Sequence, residues 1–242
     1  MAAAFGALVA AVALLWAIGT AARDGNATVV RAGVSAGNGA AVVKPTAAQA
    51  RLVRLNTRVG HHGEYRVQYA DLPRRTQAQL DIVRRIIDRY PTAAVAEKAG
   101  WHRATTNLKG IAAHYMRNGV AGFITIDDKF DVSDPEILLF DGEGPNAPIV
   151  GVSYLVNGPA PAGFSGKWDV WHNHQAVCFA GGYVIGELGG HADSEINMTP
   201  AQCAAQGGTQ FPISNLNMLH VWMKPGFASS AGVFSHDHPR LR

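Results

Sequence analysis

Several motifs that mark well-known functional classes are missing from this sequence. No Gly-x4-Gly-Lys-Ser/Thr loop occurs, which excludes the P-loop nucleotidases. No Cys-x-x-Cys-His motif occurs, which excludes a covalently attached c-type haem. The arginines are not accompanied by a zinc-finger, RNA-recognition or helix-turn-helix signature, so we expect no nucleic acid among the partners.

Positive charge is also missing from the start of the chain. Residues 2–22 are 21 uncharged, mostly apolar residues, and no Lys or Arg precedes them. The run is long enough to cross a bilayer as a helix, and the small residues before Arg23 suit signal-peptidase cleavage. We therefore expect residues 1–22 to be a transmembrane anchor or a signal peptide. The protein would be secreted or held in the cell envelope, with the membrane as a partner through residues 2–22 if the segment is uncleaved.

The next two regions differ in composition and in predicted structure. Residues 23–45 are rich in Gly, Ala, Val, Ser and Asn without a periodic pattern, which predicts a flexible linker. Residues 46–109 are predicted to be helical and to pack on the C-terminal part of the chain. Thr46 with Gln49, and Thr76 with Gln79, fit the capping box that opens a helix.

Apolar residues set the extent of the helices in this region. Val83, Ile86, Ile87 and Tyr90 form one apolar stripe in the second helix, which Pro91 ends. A short third helix is expected from Thr92 to Ala99.

Residues 110–242 have the pattern of an antiparallel β domain. Short apolar runs alternate with Gly, Pro, Asn and Asp, which is typical of a sandwich or barrel. The predicted strands are Phe123–Ile126, Ile137–Phe140, Ile149–Val156, Val170–Phe179 and Met218–Met223. One inserted helix is expected after Thr199, with Pro200 at its first position and Gln202 completing a capping box. The fold class is therefore predicted to be α+β.

Two His-x-His pairs occur, at His172–His174 and His236–His238. Alternate residues of a strand share a face, so His172 and His174 would lie ~7 Å apart in an apolar and aromatic row. Neutral imidazole is a common ligand of transition metals. The second pair lies in a polar C-terminal segment, so we predict a metal at the first pair and expect no ligand from the second.

Two further histidines, His114 and His220, lie in apolar or aromatic surroundings where an unpaired imidazole is costly. Together with His172 and His174 they predict a four-His site, or a site of three His with a carboxylate such as Glu136 or an open position for water. The cofactor would be one divalent ion of Zn, Cu or Fe. The alternative for each histidine is a core residue bonded to the backbone.

The two cysteines lie 25 positions apart. In an exported chain they favour a disulfide between Cys178 and Cys203. This disulfide would join the His-bearing strand to the helix after Thr199. The competing role for Cys178 is that of a thiolate ligand beside His172 and His174.

The sequence resembles two known patterns. The first is the cupin motif Gly-x5-His-x-His, which Gly166, His172 and His174 resemble, with Gly186 at the place where that motif ends. Cys178 and Phe179 occupy the two places of its Glu. Residues 85–238 also resemble a group of exported bacterial His-rich proteins. The segments that carry this second resemblance are Tyr90-Pro-Thr, Ala99-Gly-Trp101, His114-Tyr, Pro135-Glu-Ile-Leu-Leu-Phe140, Trp171-His-Asn-His174 with Cys178, Leu219-His-Val-Trp222 and Gly232-Val-Phe234. It implies a shared fold and a shared histidine set, and nothing about substrate.

Three functions are consistent with these patterns. The first is an exported or membrane-anchored protein that carries or senses a transition metal. The second is a metal-dependent, cupin-like oxygenase or hydrolase, and the third is a structural subunit of a membrane complex without metal. The number of protein ligands separates the first two, because an open coordination position favours chemistry.

Overall fold

The computed structural model describes residues 66–189 and 196–242. The predicted membrane segment, the linker and the helix expected at Thr46 lie outside these residues. Within them, no helix combines the length and apolarity needed to cross a membrane. The described residues belong to one compact unit.

The described chain forms three α-helices and two antiparallel sheets, so the α+β class is confirmed. The helices are α1 (Arg74–Arg89), α2 (Ala93–Lys98) and α3 (Pro200–Ala205). The strands are β1 (Trp101–Arg103), β2 (Ala113–Arg117), β3 (Ile137–Phe140), β4 (Ile149–Asn157), β5 (His172–Asn173), β6 (Ala176–Ala180), β7 (Tyr183–Leu188), β8 (Thr209–Pro212) and β9 (Leu216–Val221). Strand order is β1-β2-β3-β4-β9-β5 in the large sheet and β7-β6-β8 in the small sheet. Short 3-10 helices occur at Tyr69–Asp71 and Gly119–Ile124.

Helix α1 covers one face of the large sheet. Its apolar stripe, represented by Leu80, Val83 and Ile87, is fully buried and joins Val152 and Leu219 in one hydrophobic cluster. The helix ends at Arg89, with Tyr90 as its C-cap just before Pro91, as Pro91 predicted. Burying each such aliphatic side chain contributes ~2 kcal/mol, so this face holds the helix layer on the sheet.

The predicted capping box at Thr76 and Gln79 is wrong, because α1 begins earlier, at Arg74. The buried Thr76 hydroxyl donates to the Ser165 carbonyl at 2.6 Å. The Gln79 side-chain oxygen accepts from the Ser165 amide at 2.8 Å. Both side chains therefore hold a distant loop on the helix instead of satisfying donors at the helix start.

The opposite face of the large sheet packs on the small sheet. Leu139 and Met218 share a second hydrophobic cluster with Val177 of β6 and Val184 of β7. In β9, residues alternate between the two clusters, with Leu219 and Val221 toward the helices and Met218 toward the small sheet. His220 follows the parity of Met218 and therefore lies between the two sheets.

The predicted strand Val170–Phe179 is two strands in different sheets. His172 pairs with Met218 at the edge of the large sheet, whereas β6 pairs with β7 and β8 in the small sheet. The chain crosses between the sheets at His174 and Gln175, where the Gln175 carbonyl accepts from the Ile213 amide at 3.2 Å. His172 and His174 therefore do not share one regular strand.

The predicted strand Phe123–Ile126 is also wrong, because a 3-10 helix occupies Gly119–Ile124. Asn118 starts this turn with a left-handed φ of 64°. Gly122 allows the turn to lie against β2, since a Cβ there would come 2.7 Å from the Arg117 carbonyl oxygen. Tertiary packing thus overrides the β propensity of the segment.

The disulfide between Cys178 and Cys203 is confirmed. Both cysteines are fully buried, and they join β6 to α3. The α3 capping box is present as predicted: Gln202 donates its amide to the Thr199 hydroxyl, and its side chain accepts from the Thr199 amide. No free cysteine remains in the chain, so Cys178 is not available as a thiolate ligand.

Candidate metal centre

Three imidazoles from two distant parts of the chain meet between the sheets. One ligand nitrogen from each of His172, His174 and His236 can be chosen so that all lie within 4.8 Å of one another. The ring centroids are 5.2 Å apart for His172 and His174, 4.3 Å for His172 and His236, and 5.9 Å for His174 and His236. These three residues are hereafter called the His trio.

The trio is buried. His172 is 0% exposed and His174 is 7% exposed. The His236 side chain is 10% exposed, but its Nε2 is fully buried. Such a cluster of imidazoles away from water requires polar partners or a bound ion.

The backbone around His236 is fixed on both sides. The Trp222 indole donates to the Ser235 carbonyl at 2.8 Å, and the His238 amide donates to the Gly110 carbonyl at 2.7 Å. The His236 carbonyl accepts from His220 Nδ1 at 2.7 Å. The C-terminal segment is therefore attached to β9 and to the loop before β2, which holds the His236 ring against β5.

Carboxylates contact two members of the trio through Nδ1. Glu187, on β7 and 3% exposed, lies in close contact with His174 Nδ1. Asp237 accepts from His236 Nδ1 at 2.8 Å, and its side chain is 52% exposed. A carboxylate on one ring nitrogen fixes the tautomer and directs the lone pair of Nε2 toward a metal. Two of the three rings thus have the outer contacts that metal-binding histidines typically have.

His220, one of the predicted ligands, lies beside the trio. Its ring centroid is 5.3 Å from that of His172 and 5.6 Å from that of His236. Burial, with the nearby His236 and His114 rings adding to it, holds the pKa of His220 well below its usual value of 6.5. The ring is therefore neutral, and because Nδ1 donates to a carbonyl, Nε2 carries the lone pair.

His114 lies one ring farther away. Its centroid is 5.7 Å from that of His220, and its Nδ1 faces the Ala112 carbonyl at 3.3 Å and the Thr105 hydroxyl at 3.4 Å. Burial lowers the pKa of His114 to about 4. The structure therefore places His114 at the margin of the cluster as a neutral imidazole with backbone contacts.

Glu136 is oriented toward β4. Its carboxylate accepts from the Leu155 amide at 2.8 Å, and burial raises its pKa to about 7. It is not a member of the group of described residues whose ligand atoms lie within 4.8 Å.

His238, next but one to His236, has a different role. The ring is fully buried and stacks on Phe227 with centroids 4.3 Å apart. Nε2 donates to the Phe227 carbonyl at 3.1 Å, and Nδ1 accepts from the Arg240 amide at 3.2 Å. Both nitrogens are used, so His238 is a structural residue that secures the C-terminus.

Sequence reasoning missed two residues of this centre. His236 was expected to contribute nothing because its segment is polar, yet it lies against His172; the apolar run Gly232–Phe234 before it was a signal of burial. Glu187 was missed because β7 was not predicted. A lone carboxylate in the apolar run Tyr183–Leu188 was the available signal, since a buried carboxylate needs a partner.

Comparisons with protein-family models, curated proteins and solved structures gave no match to this chain. The resemblance to exported bacterial His-rich proteins therefore stays a prediction. The function has to be inferred from the geometry of the centre itself.

Proposed function

We propose that this protein binds one divalent transition-metal ion, Zn, Cu or Fe, through the His trio, and that it does so outside the cytoplasm. The observation that carries the proposal is the convergence of three buried histidines, with ligand nitrogens within 4.8 Å of one another. Two of them come from the His172–His174 segment that the sequence singled out, and the third comes from the C-terminal segment.

The spacing of the trio is close to what an ion requires. A point equidistant from three atoms separated by 4.8 Å lies about 2.8 Å from each, whereas zinc binds imidazole nitrogen at ~2.0–2.1 Å. Each ring therefore has to move inward by no more than about 0.7 Å. Side-chain rotation can supply such a movement without rearranging the strands.

The donor set favours particular metals. Imidazole suits Zn, Cu, Fe and Ni, whereas Mg and Ca prefer oxygen ligands. The carboxylates on His174 and His236 increase the basicity of both rings and compensate part of the positive charge of a divalent ion. These features support a first-row transition ion in preference to an alkaline-earth ion.

The extracytoplasmic location is supported by two features. The disulfide between Cys178 and Cys203 is of a kind that persists in oxidising compartments and is rare in the cytoplasm. The apolar run at residues 2–22 has the length of a membrane segment or a signal peptide. Together they favour an exported or envelope-anchored protein that holds a metal.

A metal-dependent enzyme is the second candidate. Three protein ligands leave a fourth position for water, as in catalytic zinc sites. The His trio alone fits this description, so the role of the neighbouring His220 decides between the two candidates.

Elemental analysis of the purified protein tests the proposal. We expect about one transition ion per chain, and chelation should lower the melting temperature because the ion binds only the folded state. Binding should weaken below about pH 6.5, where free imidazole takes up a proton. His172→Ala, His174→Ala and His236→Ala should each abolish stoichiometric metal, whereas His102→Ala, which replaces an exposed histidine, should not.

Two results would overturn the proposal. The first is a folded wild-type protein that takes up no ion in equilibrium dialysis against Zn, Cu and Fe. The second is a His236→Ala variant that keeps wild-type stoichiometry and affinity. Circular dichroism of each variant shows whether a loss of metal reflects a loss of fold.

A further inference from the structure

One ring nitrogen beside the His trio, Nε2 of His220, is buried without a hydrogen bond to the described residues. His220 is 1% exposed, and its Nδ1 is engaged by the His236 carbonyl. Its Nε2 is buried, and no hydrogen-bond partner for it is present among the described residues. A buried acceptor without a partner costs ~1–3 kcal/mol, so its retention in a packed site calls for a ligand.

Ring separations around the site are close to those of four imidazoles on one ion. With Nε2 at ~2.1 Å from a tetrahedral ion, each ring centroid lies about 3.2 Å from the ion and about 5.2 Å from every other centroid. Five centroid separations among His172, His174, His220 and His236 are 5.2, 5.3, 4.3, 5.9 and 5.6 Å. They lie on both sides of 5.2 Å, from 4.3 to 5.9 Å, so tetrahedral coordination requires these separations to change by no more than about 0.9 Å.

We propose that His220 Nε2 is the fourth ligand, so that the ion is enclosed by four imidazoles without bound water. This inference rests on the proposed metal site and specifies its coordination. Four protein ligands characterise storage and structural sites, whereas catalytic sites keep an open position. The protein would therefore hold or deliver a transition ion, and it would not perform chemistry on it.

The connection between His220 and His236 makes this closure feasible. His220 is not in the group whose ligand atoms lie within 4.8 Å, so its ring has to move inward when the ion binds. The hydrogen bond from its Nδ1 to the His236 backbone links it to a ligand of the trio. This bond keeps the His220 ring beside the trio.

His114 supplies the matched comparison. His114 is as buried as His220 and lies on the same face of the large sheet. Its Nδ1 is directed to Ala112 and Thr105, and its ring contacts the ring of His220. It is expected to support the His220 ring without touching the ion. Its substitution to Ala creates a similar cavity without removing a ligand.

Loading with Co(II) tests the inference, because Co(II) takes zinc-type sites and its visible absorption reports coordination number and ligand exchange. We expect the wild-type Co(II) spectrum to be four-coordinate and unchanged by millimolar azide. His220→Ala should bind Co(II) more than ~100-fold more weakly, beyond the effect of an outer contact. Its spectrum should respond to azide and be restored by added imidazole. His114→Ala should weaken binding by less than ~10-fold and stay insensitive to azide.

The outcomes separate the two proposals. Absence of any stoichiometric Co(II) spectrum in the folded wild-type protein overturns the metal site itself. A wild-type Co(II) spectrum that already responds to azide, with His220→Ala behaving alike, shows an open position and overturns the closed site alone. The closed site is also wrong if the Co(II) spectrum of His114→Ala responds to azide and that of His220→Ala does not.

Discussion

Replacing Glu187 by Gln isolates the contribution of a buried carboxylate to metal affinity. Glu187 is 3% exposed and pairs with His174 Nδ1. Its backbone bonds to Ile196 and Met198, at 3.0 and 2.8 Å, do not involve the side chain. Gln has nearly the same shape and keeps an acceptor oxygen, so the change removes the charge and little else.

The expected loss depends on the burial of this pair. Outer carboxylates of metal-bound histidines typically change affinity by 10–100-fold, which corresponds to ~1.4–2.7 kcal/mol. Because Glu187 is shielded from water, its attraction for the His174-bound ion is weakly screened. We therefore expect Glu187→Gln to weaken Zn binding by ~10–100-fold.

Asp237→Asn is the matched control. Asp237 makes the same kind of contact, with His236 Nδ1, but its side chain is 52% exposed. Solvent and salt screen an exposed charge, so this variant should lose less than ~3-fold in affinity. Competition with a chromophoric chelator at pH 7.5, with circular dichroism to verify folding, measures both values. If Asp237→Asn costs as much as Glu187→Gln, or if Glu187→Gln costs nothing, the assigned role of Glu187 is wrong.

Two further predictions concern stability. Burial raises the pKa of Glu136 from 4.5 to about 7. Between these two pH values the folded state keeps a proton that the unfolded state releases. The free energy of unfolding therefore falls by at most ~3 kcal/mol as the pH rises through this range. The Glu136→Gln variant should not show this loss and should be more stable than the wild type above pH 7. Urea unfolding with EDTA at pH 4.5, 6 and 8 measures both proteins. If the free energies of unfolding of the two proteins change in parallel with pH, the prediction is wrong. Mass mapping without reductant should recover the cross-linked Cys178 and Cys203 peptides, and the double Cys→Ala variant should lose ~3 kcal/mol of stability. Two alkylatable thiols in the native protein would exclude the disulfide.

Elements with strong local signals were predictable. The apolar stripe located most of α1, Thr199 with Pro200 and Gln202 located α3, and β3 lies at the predicted residues. In each case one segment contains the whole signal, either as a periodicity or as a cap. Such features depend on interactions within a few residues, which a single sequence displays.

Elements that depend on remote partners were not predictable. The predicted strand Val170–Phe179 is divided between two sheets, because β9 pairs with its first half and β8 with its second half. Thr76 and Gln79 resemble a helix cap, yet both bond to Ser165, more than eighty positions away. A local pattern cannot show that a distant backbone group offers a competing partner.

The candidate site divides in the same way. The sequence by itself determined that His172, His174 and His220 lie in apolar surroundings and that Cys178 has one possible partner in the chain. Only the tertiary structure decided that His236 joins them, that Glu187 supports His174, and that Glu136 is directed to β4. The physical reason is that burial preference is a property of a residue and its neighbours in sequence, whereas ligand geometry depends on how β5, β7, β9 and the C-terminal segment pack together.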